Sequence, residues 1–206
     1  MSDSHHITTA EQLESLYGQP VFTALDKEVD HITPHYRQMI GASPFVVLST
    51  VGPEGTDCSP RGDPPGFVQV LDDRRVALPD RPGNNRIDSL RNIVRDPRVS
   101  LLFLIPGMGE TLRINGEAVI STDPDLMAGF AIRGKLPKSV LVVTVDRIYF
   151  QCQKALARSR LWQADAQVDR ASLPSAGDII KELTPAEFDN RQYDADYPER
   201  MKRTIY

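Results

Sequence analysis

From Pro44 to Phe150 the chain is a succession of β-type segments joined mostly by turns, and that texture leaves few folds open. FVVLSTV (Phe45 to Val51) is apolar and β-branched, and Gly52-Pro53-Glu54-Gly55 after it reads as a turn. DCSPRGDPPG is loop-like, with a short strand expected around Cys58. FVQVL (Phe67 to Leu71) alternates, Asp72-Asp73 turns, and RVAL leads back. Val99 to Ile105 is almost unbroken apolar, as expected of a strand buried on both faces. TLRINGEAVI sets Leu112, Ile114, Ala118 and Ile120 in alternation with polar residues, and SVLVVTVDRIYF (Ser139 to Phe150) is the last long strand. The count is about six strands with only short helices between most of them. Alternating strand–helix units are absent, which argues against a doubly wound parallel sheet. A mainly β fold is expected, a closed or nearly closed antiparallel barrel with peripheral helices.

Helical signals flank this region. Thr9 is placed to cap a short helix ending at Gly18, with Leu13 and Leu16 facing inward, and a second helix is expected from about Pro20 to Asp30. Thr33-Pro34 opens a third, running to Ile40 and closed by Gly41. Asp123-Pro124 starts another short one. The first eight residues read as a disordered lead, and the stretch after Asp165, with its YDADYPER string, as a polar arm. The expected division is an N-terminal helical extension (1–43), a barrel (44–165) and a C-terminal arm (166–206).

The net charge of −4 gives no basic field for nucleic acid or an anionic membrane. No apolar run approaches the roughly 20 residues that cross a bilayer, and the N-terminal residues lack the apolar core of a secretory signal. Cys58 and Cys152 are too few for a disulfide scaffold and fit a reducing cytoplasm, the expected location. Two readings stand for these thiols, reactive or buried and inert, the second being the commoner outcome.

PDRPGNNRIDSLRNIVRDPRVSLLF (Pro79 to Phe103) holds the chemistry. Ile87, Leu90, Ile93 and Val94 recur at helical intervals, Asn84 or Asn85 can cap the first turn, and Asp88 adds the negative charge a helix start favours. Pro97 ends the helix at Asp96. A glycine-led turn that aims helix-start amides and a fixed cation at one point is built to hold an anion, most simply a phosphate. Arg61 and Arg86 with such a helix start match a phosphate dianion through charge-assisted hydrogen bonds; the alternative is that both are solvated surface charges.

Gly83-Asn84-Asn85-Arg86, the helix to Leu90 and DPRVSLLF resemble the flavin mononucleotide (FMN) segment of the pyridoxamine 5'-phosphate oxidase-like split-barrel proteins. SPRGDPPGF, LPDRPGNNR and QCQKALARSRLW together resemble a branch of that family distinct from the true pyridoxamine phosphate oxidases. The likeness spans roughly Pro44 to Phe150 and implies a six-stranded antiparallel split β-barrel of the FMN-binding type. It implies that Arg61, with Ser59 beside it, reaches the phosphate, and that Asn84, Asn85 and Arg86 grip it from the turn. Leu78 and Pro79 match positions that run alongside the flavin ring, mainly through backbone. Thr111 falls near a position that often carries a glutamine at the ring edge. Lys154, Ser159 and Arg160 belong to a basic segment that would close over the flavin or an acidic substrate. The plainer reading of that segment is an amphipathic helix packing Leu156 and Trp162 against the barrel.

Two departures stand out: Asn85 is uncharged where the family has a cation, and Pro79 offers no N–H. The C-terminal Arg and His pattern of true pyridoxamine phosphate oxidases is not visible, which argues against pyridoxine phosphate as substrate. The resemblance further implies a homodimer with FMN in the groove between subunits, strands such as Val99 to Ile105 supplying part of the interface. The implied activity is an FMN-dependent oxidoreductase, moving hydride or electrons between a reduced nicotinamide or small organic substrate and an acceptor. The alternative is a non-catalytic FMN carrier or sensor. No catalytic residue is assigned.

Other signals are set aside. Gly129 to Lys135 has the spacing of a nucleotide-binding loop, but Leu136 stands where Ser or Thr should hold magnesium, and a helix-like segment precedes it. His31 and His35 are spaced like a zinc pair, yet Pro34 lies between them and no glutamate follows His31. No cysteine–histidine or GxSxG arrangement points to a covalent nucleophile.

Overall fold

The computed structural model describes residues 5–184 and 187–206, so half of the expected N-terminal lead, residues 1–4, lies outside the described residues. Helix α1 (Ala10–Tyr17) starts where the Thr9 hydroxyl accepts the Gln12 N–H and stops at Gly18, whose φ of 70° only glycine adopts cheaply. Leu13 and Leu16 are exposed rather than inward, because no other element buries this helix. Helix α2 (Phe22–Leu25) is one turn instead of the longer helix expected. The chain beyond it extends so that Val29 bridges Ile148 in the last strand. Helix α3 (Pro34–Ala42) begins at the Thr33 cap with proline in its first turn, continues through Gly41 and ends at Ser43. The fully buried Ser43 hydroxyl bonds the carbonyls of Phe45 and Leu104, so it, not the glycine, makes the corner into the sheet.

The sheet contains β1 (Phe45–Gly52), β2 (Gly55–Gly62), β3 (Gln69–Val70), β4 (Arg75–Asp80), β5 (Arg98–Leu104), β6 (Thr111–Ser121) and β7 (Ser139–Gln151). Helix α4 (Asp88–Arg95) precedes β5 and α5 (Pro124–Ala128) follows β6. All pairings are antiparallel, in the order β2-β1-β5-β6-β7-β4-β3, giving seven strands and a sheet that does not close. The fold is the expected mainly β one, with a strand more than expected. The extra length is in β2, eight residues despite Pro60 and two glycines, because the Gly52–Gly55 turn lays it against β1 in unbroken register. FVQVL shrinks to the two residues of β3.

Strand β5 alternates rather than being buried on both faces: Val99, Leu101 and Phe103 enter the core, while Ser100, Leu102 and Leu104 are half-buried. The core is built from that inward set, Val46 and Leu48 of β1, Leu112 and Ile114 of β6, and Val143, Val145 and Ile148 of β7, with Ile40 and Ile93 from the helices. Near its middle β6 shifts register against β7, Asn115 facing Arg147 and Gly116 facing Val145, so Asp146 is the extra residue of a bulge.

Asp96 ends α4, as its place before proline foretells, and pairs with Arg98. Its hydrogen bonds to Arg98 hold the carboxyl at about 2. A carboxylate so depressed stabilises the fold fully above its unfolded pKa, about 3.9, and loses that contribution as pH falls through 2. Asp96→Asn should therefore show a shallower decline of stability between pH 4 and 2 than the parent in denaturant titrations. Parallel declines would remove Asp96 from the acid response.

After β7 come α6 (Lys154–Ser159), α7 (Ala176–Leu183) with a Ser175–Asp178 capping box, and α8 (Asn190–Thr204). The two cysteines are exposed, contrary to the buried reading; Cys58 sits on β2, an edge strand, where nothing covers it. No described helix is long and apolar enough to cross a membrane.

Candidate functional site

A cleft of about 490 Å³ opens where the sheet is split, between the end of β2, the end of β4 and the turn leading into α4. Arg61 of β2 and Asp80 of β4 bridge it with an ion pair of 2.5 Å, their side chains only 20% and 13% exposed. The register of β4 on β7 sets Asp80 against Ser139 and so brings Lys138 to the rim.

Arg61 is held by more than Asp80. Its second terminal nitrogen approaches Ser89 Oγ of α4 at 3.4 Å. Ser89, itself buried, donates to Asp57 at 2.5 Å and shares a 3.0 Å hydrogen bond with Ser59. These bonds tie β2 to the first turn of α4. Arg61 Nε is buried and has no partner among the described residues, so the guanidinium retains an unmatched donor there. On the other wall Arg81 donates from Nε to Asp63 at 2.7 Å and from a terminal nitrogen to the Phe130 carbonyl at 2.8 Å. Lys138 donates to the neutral Asn85 side chain at 2.9 Å, and among the described residues no carboxylate pairs with it. The cleft thus holds three cations against the two carboxylates Asp63 and Asp80, an excess that favours an anion.

The turn differs from its sequence reading. Gly83 has no left-handed φ; Asn85 (φ 60°) and Ile87 (φ 54°) take that conformation instead. Helix α4 starts at Ile87, with no side-chain cap, rather than at an asparagine. Asn84 Oδ1 accepts the Arg86 N–H within the turn, which removes it from the cap, and Asn85 is engaged by Lys138. A β-branched residue in the left-handed region costs about 1–2 kcal/mol, and such strain gathers where backbone grips ligands. The helix-start amides are left without a side-chain acceptor beside the cleft, which suits an incoming anion.

Pyridoxamine 5'-phosphate oxidase is the family whose profile matches the chain, over residues 32–152. The chain belongs to this family. The matched segment takes in the whole sheet and every cleft residue named above. Among solved structures, HupZ of Group A Streptococcus is 22% identical over 57% of this chain and 91% of its own, with a TM-score of 0.46. An FMN-binding protein of Syntrophomonas wolfei is 14% identical over 68% and 91%, with a TM-score of 0.44. General Stress Protein 26 of Bacillus anthracis is 17% identical over 55% and 88%, with a TM-score of 0.40. No curated protein gives a significant match.

Of the residues singled out by sequence, Ser59, Arg61, Pro79, Asn84 and Asn85 line the cleft. Leu78 is fully buried in the core and reaches the cleft only by being next to Pro79. Arg86 turns outward, 76% exposed, and binds Asp88 at 2.8 Å. Thr111 lies opposite Gln151 at the far end of β7, and Lys154, Ser159 and Arg160 follow on and beyond α6. This second group lies at the opposite end of β7 from Ser139, and none of it lines the cleft. Trp162 Nε1 donates to the Met108 carbonyl at 2.7 Å, which docks the α6 segment on the β5–β6 turn. Sequence reasoning missed Asp63, Asp80, Arg81, Ser89 and Lys138. Arg81 stood in the quoted LPDRPGNNR string, and its place between two prolines of a turn was the available signal.

Proposed function

We propose that the chain binds FMN, its phosphate in the cleft between Arg61 and Lys138. The observation that carries this reading is the excess of positive charge in a partly enclosed cleft beside an uncapped helix start, within the segment that matches the family. The residues fit a phosphomonoester. Among the described residues Lys138 has no counter-ion, and the amides at the start of α4 face no side-chain cap. Asp80 and Asp63 orient the arginines, so that the ligand meets guanidiniums already in place. When bound, FMN supplies exchange of hydride or single electrons, and the protein's part is position, shielding and electrostatics.

The site we propose has two halves. Thr111, Lys154, Ser159 and Arg160 are not among the residues that line the cleft around Arg61. A homodimer that sets the β7 end of one copy beside the cleft of the other would bring both groups to one flavin. In that arrangement Lys154 and Arg160 would face the ring or an acidic substrate, and activity would be that of an oxidoreductase with a reduced nicotinamide or small organic donor. A carrier or sensor uses the first half alone.

The deciding measurement is the visible spectrum of the purified protein before and after addition of FMN and desalting. Retained flavin bands are expected. A colourless protein that keeps no added FMN overturns the reading. With flavin bound, NADH or NADPH consumption in the presence of oxygen or a quinone separates an oxidoreductase from a carrier.

A further inference from the structure

The C-terminal segment comes back to the cleft. Two residues past the end of α8, Tyr206 donates its hydroxyl to Asp63 Oδ1 at 2.6 Å, while the other oxygen of the same carboxylate receives Arg81 Nε at 2.7 Å. The Asp63 side chain is 2% exposed, so water cannot replace a partner that leaves. A carboxylate in such a place is costly unless its lone pairs are matched. The guanidinium carbons of Arg81 and Arg133 each lie 5.8 Å from the centre of the Tyr206 ring, and Lys135 donates to the Tyr206 main-chain oxygen at 2.5 Å. Three cations thus hold the tyrosine against one buried acid. The hydrogen bond to Asp63 pushes the phenol pKa up, which keeps the hydroxyl protonated and a donor.

We propose that Tyr206 is a positioning residue for the cleft. By fixing Asp63 it fixes Arg81, so that a residue 143 positions away from Asp63 in sequence sets one wall of the anion site. Arg81 then has Nε on Asp63 and a terminal nitrogen on the Phe130 carbonyl, and its orientation precedes ligand binding. That it raises affinity for FMN rests on the proposed function; that it orders Arg81 does not.

Tyr206→Phe keeps the ring and removes only the hydroxyl. In the protein without added flavin, the Arg81 Nε–H proton, assigned in ¹⁵N spectra with Arg81→Lys, should be protected from exchange in the parent and lose protection in the variant. Melting should fall modestly, because a carboxylate oxygen that water does not reach loses its donor. FMN affinity should fall roughly three- to tenfold. Adding Asp63→Asn should cost no more than the worse single change, since both break one chain of contacts. Equal protection of Arg81 in parent and Tyr206→Phe overturns the proposal, as do additive losses. Should Asp63→Asn not fold, the exchange measurement on Tyr206→Phe decides alone. A parent that binds no FMN but whose Arg81 loses protection in Tyr206→Phe would sink the flavin reading and leave the positioning role intact.

Discussion

Arg61→Ala should lower FMN affinity by roughly a hundredfold or more and destabilise the protein as well. The binding loss follows from removing the guanidinium whose hydrogen bonds to a phosphate are charge-assisted, each of about 1.5–3 kcal/mol. The stability loss has a separate origin. Asp80 is 13% exposed in its side chain and its ion-pair partner is Arg61, so truncation leaves a largely buried carboxylate unmatched. Breaking a buried pair from one side costs about 3–5 kcal/mol, and the partial exposure here argues for the lower end. Isothermal titration with FMN and urea denaturation of the same sample measure both. Arg86→Ala is the contrast: that side chain is 76% exposed and turned to Asp88, so the loss should be under tenfold and stability nearly unchanged. Equal affinity losses for the two variants would mean that Arg86 swings into the cleft on binding and that the turn is rebuilt around the ligand.

Gly116→Ala should be more damaging to the fold than any cleft substitution. A Cβ built at Gly116 would lie 1.9 Å from the Thr144 carbonyl oxygen and 3.0 Å from its carbon, both main-chain atoms of the paired strand. No side chain can move aside, so either the bulge opens or β6 and β7 separate. These two strands run the length of the sheet, and their pairing holds β4 and β5 on either side. We expect a loss of about 4 kcal/mol or more, the range reserved for core disruption, seen as a large fall in the urea midpoint. Gly83→Ala, with open space and ordinary backbone angles, serves as the control and should change little. If Gly116→Ala keeps the parent's midpoint, the bulge is looser than its register implies.

The strands whose side chains alternate were legible without a structure. Thr111 to Ile120 sets one face to the core and one to solvent, and the β-branched runs Phe45 to Val51 and Ser139 to Phe150 were as legible; both patterns are local. So were the caps at Thr9 and Thr33, where the hydroxyl bonds an amide three residues on. Strand β2 was legible only as a short piece around Cys58, because little in TDCSPRG favours eight residues of strand until β1 offers a row of partners. The burial of Leu13 and Leu16 was misjudged for the opposite reason: periodicity says a helix has an apolar face but not that anything covers it. In the cleft, Arg61 and the turn at Asn84–Asn85 could be picked out because they sit in short recognisable strings. Asp80, Lys138 and Ser89 meet through strand register and helix packing, and Asp63 meets Tyr206 across almost the whole chain. Such juxtapositions leave no mark in local sequence.

The pairing of β4 with β7 has a consequence for the order of events during synthesis. Asp80 and Arg81 leave the ribosome with β4, but the long strand that holds β4 in the sheet begins at Ser139, about 60 residues later. At typical elongation rates of ~5–20 residues per second, Val76, Ala77 and Leu78 wait several seconds with no partner but the two residues of β3. That interval is when a chaperone, or another nascent copy, would find them. No ligand can shorten it, since Lys138 and the Asp80–Ser139 register arrive only with β7. A fragment stopping short of Ser139 holds most of the cleft's residues in sequence and none of the cleft.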